Sequence, residues 1–205
     1  IYPDLGDRVE NIVWTYYLAS FSTSDDNSPS LGLEAELCHQ VLSPLPYGFL
    51  TVVPRAVTTT LTPIEFAAFL VGRTPGSSFV TERGTDMWGY QDDDPTAPLP
   101  ESGDDERVFD QDGDGLPGVT LQVETPQGGS ICEVRVVQRT TLQCEGSVVS
   151  NRLIEGPLNV VPEEVVLSAS TSLCAGGTLR ASSAGNRFEL FRLPDDLSDC
   201  DAVYS

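Results

Sequence analysis

The sequence predicts a mainly β protein, an antiparallel β-sandwich or barrel, and three observations carry that prediction. Apolar and polar residues alternate with a period of two through most of the apolar segments. Turn chemistry separates those segments, as at Pro126-Gln127-Gly128-Gly129, Gly156-Pro157 and Gly176-Gly177. The chain has 205 residues, enough to bury a β core as one unit, and is 40% hydrophobic, a globular composition rather than a disordered one.

The segments can be taken in order. Val9–Ser20 places Ile12, Trp14, Tyr16 and Leu18 on one face and Val13, Thr15, Tyr17 and Ala19 on the other. Asp25–Pro29 is a turn. Leu31–Leu42 alternates, with Leu31, Leu33, Ala35, Leu37, His39 and Val41 facing one way and Cys38 the other. Phe49–Thr60 is a third strand candidate, and Pro54 interrupts it, implying an edge or a bulge. Thr62-Pro63-Ile64-Glu65 has capping-box order with Pro at the first helical position, and Gly72 supplies a stop, so one short helix is expected over about 62–72. Residues 73–117 are rich in Gly, Pro and Asp and read as a loop-rich acidic insertion within a single domain spanning 1–205. Strands are then expected at Val119–Glu124, Ile131–Arg139, Thr141–Glu145, Val148–Ile154, Val165–Ser170 and Asn186–Leu193.

Charge restricts the function. The net charge is −20 with a pI near 4.1, a surface that repels nucleic acid and anionic lipid and attracts cations. All basic residues are Arg, which removes Schiff-base chemistry by a lysine. The chain begins with Ile1, which suggests a processed, mature chain, and no apolar run reaches the length of a membrane helix, so no membrane span is expected. Five cysteines without CxxC spacing, in an acidic chain, favour disulfides and a secreted or cell-surface location. Pairing of Cys132 with Cys144 and of Cys174 with Cys200 is the expectation, leaving Cys38 as a free or intermolecular thiol.

The densest chemistry lies at Asp110-Gln111-Asp112-Gly113-Asp114-Gly115-Leu116-Pro117-Gly118. Carboxylates at alternate positions can converge on one hard cation. Gly113 allows the sharp turn that aims them, and the Leu116 carbonyl offers a fourth oxygen. Three Asp so close repel one another unless something positive lies between them. Residues 86–114 hold eleven acids against one base, Arg107. From this neighbourhood Glu101, Asp104 and Asp105 are candidate additional ligands.

The DxDxDG pattern resembles the calcium loops of EF-hands, dockerins and thrombospondin type 3 repeats. The resemblance implies calcium as cofactor, with Asp110, Asp112 and Asp114 as side-chain ligands and Leu116 as a carbonyl ligand. It covers about nine residues. It departs from the EF-hand at Leu121, where a bidentate Glu would stand, and in the strand pattern that follows. A softer resemblance, over roughly 99–200, is to uncharacterised secreted or lipid-anchored β-rich proteins of GC-rich Gram-negative bacteria. It rests on Leu99-Pro100, Arg107-Val108-Phe109-Asp110, Gly118-Val119-Thr120, Val136–Arg139 and Leu153–Gly156. It implies an envelope location and no activity.

No catalytic constellation is visible. His39 is the only histidine, it lies on an apolar strand face as a buried hydrogen-bonded residue would, and no GxSxG elbow is present. The expectation is therefore a non-enzymatic, calcium-binding extracellular structural protein, a subunit of a surface layer or filament, partnered by itself or by other envelope proteins. In that reading an N-terminal strand, Ile1–Asp7, donated to a neighbour would tie copies together. The alternatives are a calcium-dependent envelope binding module, with Trp14, Trp88, Tyr90 and Tyr47 as a carbohydrate-stacking platform, and a hydrolase built on an unrecognised carboxylate pair.

Overall fold

Among the described residues, ten strands make one antiparallel sheet that curls into a half-barrel, with one short α-helix. The computed structural model describes residues 12–23, 28–44, 48–125, 127, 129–174, 185–194 and 199–200. The strands are β1 Val13–Ser22, β2 Ser30–Leu42, β3 Leu50–Val52, β4 Ile64–Val71, β5 Ser78–Thr81, β6 Gly84–Trp88, β7 Val119–Glu124, β8 Ser130–Ser150, β9 Leu153–Ala169 and β10 Arg187–Phe191. Helix α1 is Arg55–Thr58. Among these residues no helix is long and apolar enough to cross a membrane.

β8 is the spine. Along one edge it pairs in succession with β7 (Leu121 opposite Val134), β6 (Trp88 opposite Gln138) and β5 (Val80 opposite Glu145). Along the other edge it pairs with β9 for most of its length. β5 continues to β4, β2 and finally β1, so the sheet folds back over itself. One cluster in its concave side gathers Leu37, Val57, Trp88, Val119, Val134 and Val136; a second gathers Leu33, Ala68, Phe79 and Cys144.

Several sequence expectations need correction. The helix expected at 62–72 is β4. An eight-residue helix is short of the roughly 12–15 residues that hold helical structure alone. β2 and β5 offer hydrogen-bonding edges on both its sides, with Ala68 fully buried between them. Among the described residues the one α-helix, α1, starts after Pro54, whose extended backbone ends the β3 segment and opens the turn that buries Val57. The acidic insertion is shorter than 73–117, because β5 and β6 occupy its first part. The turn expected at Gly156-Pro157 lies inside β9. Pairing with β8 runs to Cys144 opposite Leu158, lapses at Pro157, which has no N–H to donate, and resumes at Ser147 opposite Glu155.

The cysteine pairing is also different. Cys38 bridges Cys200, and Cys132 bridges Cys174, with Cα separations of 5.1 and 6.6 Å. Cys144 is the free thiol, and it is buried. Cys132 and Cys144 cannot meet, because both lie on the single continuous strand β8. Two disulfides point to an oxidising, extracytoplasmic environment.

The register of β1 on β2 shifts at Tyr16/Tyr17, where Tyr16 faces His39 and Tyr17 faces Leu37. The bulge at Cys38 turns His39 and Val41 to the outer face, so His39 is half-buried beside the Tyr16 ring, with ring centroids 6.3 Å apart, rather than in the core.

Candidate metal centre

The chain leaves β6 at Gly89 and returns to β7 at Gly118, and the acidic loop between them lies over the outer face of β8. Its base is a short two-stranded contact: Tyr90 bridges Val108, and Gln91 N donates to Arg107 O at 2.9 Å. The two ends cross close to the Val136 carbonyl. A Cβ at Gly89 or Gly118 would stand 2.8 or 2.7 Å from that oxygen, and both residues have positive φ, so only glycine fits either place.

Two arginines, not carboxylates, organise most of the loop. Arg107 donates to Asp92 and Asp105, at 2.8 Å each, and to the Pro98 carbonyl at 3.0 Å. Its guanidinium lowers the pKa of both acids, that of Asp105 to about 2. Arg139 rises from β8 into the underside of the loop. It is 6% exposed, and it donates to Glu163 on β9 at 2.8 Å and to the Ala97 carbonyl at 2.7 Å. Tyr90, buried nearby, has its hydroxyl pKa raised by burial, opposed in part by the Arg139 charge. Asp94 is occupied by Thr96, whose N–H and Oγ1 donate to it at 2.8 and 2.7 Å.

The last nine residues of the loop form a separate unit. Asp110 pairs with Gly118 in a parallel bridge, and Gly118 N donates to Phe109 O at 2.9 Å, closing the turn. Gly113 and Gly115, with φ of 74° and 85°, wrap the backbone around Asp110. Asp110 Oδ1 accepts from the N–H groups of Gly113 (2.8 Å) and Asp114 (3.1 Å), and its Oδ2 accepts from Gly115 N (2.9 Å). Asp114 Oδ1 accepts from Leu116 N at 2.8 Å, and its Oδ2 from the Thr120 hydroxyl at 2.6 Å. Asp112 Oδ2 accepts from Thr120 N at 2.8 Å, while Asp112 Oδ1 is buried with no hydrogen-bond partner.

Each of Asp110, Asp112 and Asp114 brings one carboxylate oxygen within 4.8 Å of the others, so the group could hold a metal ion. The pKa of Asp112 is raised, first by burial and then by its charged neighbours Asp114 and Asp110, with the Thr120 N–H opposing. A carboxylate oxygen withdrawn from water, unpartnered and beside two more carboxylates is costly unless a cation or a proton joins it.

The structure brings together the three aspartates singled out in the sequence, but not their proposed helpers. Among the described residues, Glu101, Asp104 and Asp105 are outside the group, and Asp105 is committed to Arg107. Leu116 contributes its N–H to Asp114 and is 39% exposed. Tyr47 and Ile1–Asp7 lie outside the described residues. The carbohydrate platform is not assembled: Trp88 and Tyr90 are each 2% exposed, and Trp88 spends its indole N–H on Asp86 at 2.8 Å. Sequence reasoning missed Thr120 and Gln111. Gln111 accepts from Gly89 N and donates to Thr60 O, tying the centre to the loop base and to the turn after α1. Neither carries a signal in one dimension, but Arg107, the single base among eleven acids, did.

Comparison with known proteins returns no matching family, no matching curated protein and no matching solved structure.

Proposed function

We propose that this chain is an extracytoplasmic calcium-binding structural domain, a subunit that associates with its own copies in a surface layer or filament. The observation that carries the cation reading is the buried, unpartnered Oδ1 of Asp112, a residue grouped with Asp110 and Asp114. The donors are all oxygen, which favours a hard cation over zinc or copper. Calcium fits better than magnesium, because a loop of carboxylates completed by the Leu116 carbonyl and water suits a large, adaptable coordination sphere. The disulfides agree with an exterior where calcium is abundant, and binding in the range of extracellular modules, about 10⁻⁴–10⁻³ M, is sufficient there. The negative surface supports the coupling to association, since bound calcium lowers repulsion between copies.

Calorimetric titration of calcium and magnesium into the full chain tests the reading, with sedimentation in each condition. Calcium binding weakened in both Asp112→Ala and Asp114→Ala is the expected result. Unchanged binding in both variants overturns the cation assignment, and a monomer at all calcium concentrations overturns the structural role.

A further inference from the structure

We propose that one mouth of the half-barrel is a binding site for the alkyl chain of a single-chain amphiphile with an uncharged polar head. A cavity of about 320 Å³ lies there, and each residue lining it is among the described residues. None of them belongs to the metal centre, so the site is separate from calcium binding.

Its apolar wall is assembled by the curl of the sheet, with Phe21 on β1, Leu31 on β2, Leu70 on β4, Phe79 on β5 and Ile154 on β9. Leu70 lies opposite Phe79 in the β4–β5 pairing, and Ile154 reaches the same space from across β8. Phe79 is fully buried, and the Phe21 ring meets it edge-on at a centroid distance of 6.3 Å. Leu31, Leu70 and Ile154 pack against the second core cluster yet are only partly buried, because they face this space. Taking their remaining apolar surface out of water is the driving force for a guest. Barrel mouths are favoured places for such sites.

Size and polarity define the occupant. At about 30 Å³ for a group the size of a water molecule, 320 Å³ takes one chain of roughly ten carbons. That is the low end of the about 300–1,000 Å³ of small-molecule sites, too little for two chains. The polar groups lining the cavity are the hydroxyls of Ser22, Thr23 and Ser28 and the guanidinium of Arg73. Arg73 disfavours a cationic head, and the net charge of −20 disfavours an anionic one. The hydroxyls, donors and acceptors at once, suit a neutral hydroxyl-bearing head.

Calorimetric titration of the full chain with alkyl glucosides from hexyl to dodecyl, each below its critical micelle concentration, tests this. Affinity should rise about fourfold per added methylene and level off at about ten carbons, where the cavity is full. An affinity that ignores chain length, or that keeps rising through dodecyl as at an open surface, overturns the site. Photolabelling of the native chain with an alkyl diazirine locates the tail without any substitution. Labels should fall on the residues lining the cavity, and decyl glucoside should suppress them. Labels elsewhere, indifferent to the glucoside, overturn the site. In Leu70→Trp the larger ring occupies the cavity, so decyl glucoside should bind at least about tenfold more weakly while calcium binding is kept. Equal binding of the glucoside to this variant overturns the site as well.

Discussion

Asp112 and Thr120 are joined across the mouth of the acidic turn. One carboxylate oxygen accepts the Thr120 backbone N–H at 2.8 Å, and the other is buried without a partner. Thr120 stands in β7 between Val119 and Leu121, both core residues, so it joins the candidate metal centre to the hydrophobic interior. Calcium at ten times its dissociation constant should therefore stabilise the whole domain, by about 1.4 kcal/mol. Asp112→Ala should abolish that gain in thermal unfolding, whereas Asp105→Ala, which touches Arg107 and not the centre, should leave it intact. Because burial and like charge raise the Asp112 pKa, protons compete for the site and calcium affinity should fall as pH is lowered. Affinity independent of pH through the acidic range would count against Asp112 as a ligand.

The second titrating group is in the core. Asp86 is 5% exposed, its charged form is disfavoured chiefly by burial, and hydrogen bonds from Trp88 and the Met87 backbone only partly offset this, leaving its pKa at about 6 against an ordinary 3.8. A folded-state pKa above the unfolded one means that the stabilisation is complete below about pH 4 and is lost as pH rises through 6. The loss amounts to about 3 kcal/mol by neutral pH. Asp92 and Asp105 act oppositely, since their lowered values help only above the unfolded carboxylate range and are lost in acid. Stability in denaturant should thus decline from about pH 4 to 6 and level off above that in the native chain, and Asp86→Asn should lack this decline. A parallel decline in the variant would remove Asp86 as the cause.

Chelation should loosen only part of the acidic loop. Arg107 and Arg139 hold residues 92–107 through ion pairs and carbonyl contacts that need no metal, whereas 110–118 depends on three clustered carboxylates. Limited proteolysis with chelator should open cleavage first within 110–118. Arg107→Ala should expose 92–106 even when calcium is saturating. Cleavage of the whole loop at once on chelation, with native Arg107, would show that the metal and not the arginines orders it.

Thiol chemistry gives a fourth test. Cys144 is buried, and burial pushes its pKa up to about 11, so alkylating reagents should miss it in the native state and modify one thiol per chain after unfolding. Peptide mapping should find Cys38 with Cys200 and Cys132 with Cys174. Cys132→Ser/Cys174→Ser should cost about 2–5 kcal/mol, because that bridge is part of the larger core cluster. Labelling of Cys132 or Cys174 in the non-reduced unfolded chain would reject this pairing.

How much of this was legible in one dimension depends on the range of the interaction concerned. The three aspartates, the glycine turn between them and the strand that follows were readable, because ligand spacing and turn chemistry act over a few residues. β4 was not, since a Thr-Pro-x-Glu start and a strand with partners on both sides compete for the same eight residues, and only the neighbours settle which wins. His39 was misplaced by a single bulge, because one extra residue reverses the face of everything beyond it.

A β architecture, an acidic surface and a turn that gathers Asp110, Asp112 and Asp114 could all be read along the chain. Periodicity, net charge and local backbone freedom suffice for those. Folding in three dimensions was needed to bring Cys38 to Cys200, to put Trp88 in the core rather than on the surface, and to frame the loop with Arg107 and Arg139 rather than further acids. These depend on which distant segments the curl of the sheet brings together, and alternation along one strand gives the face of a residue but not what lies opposite it.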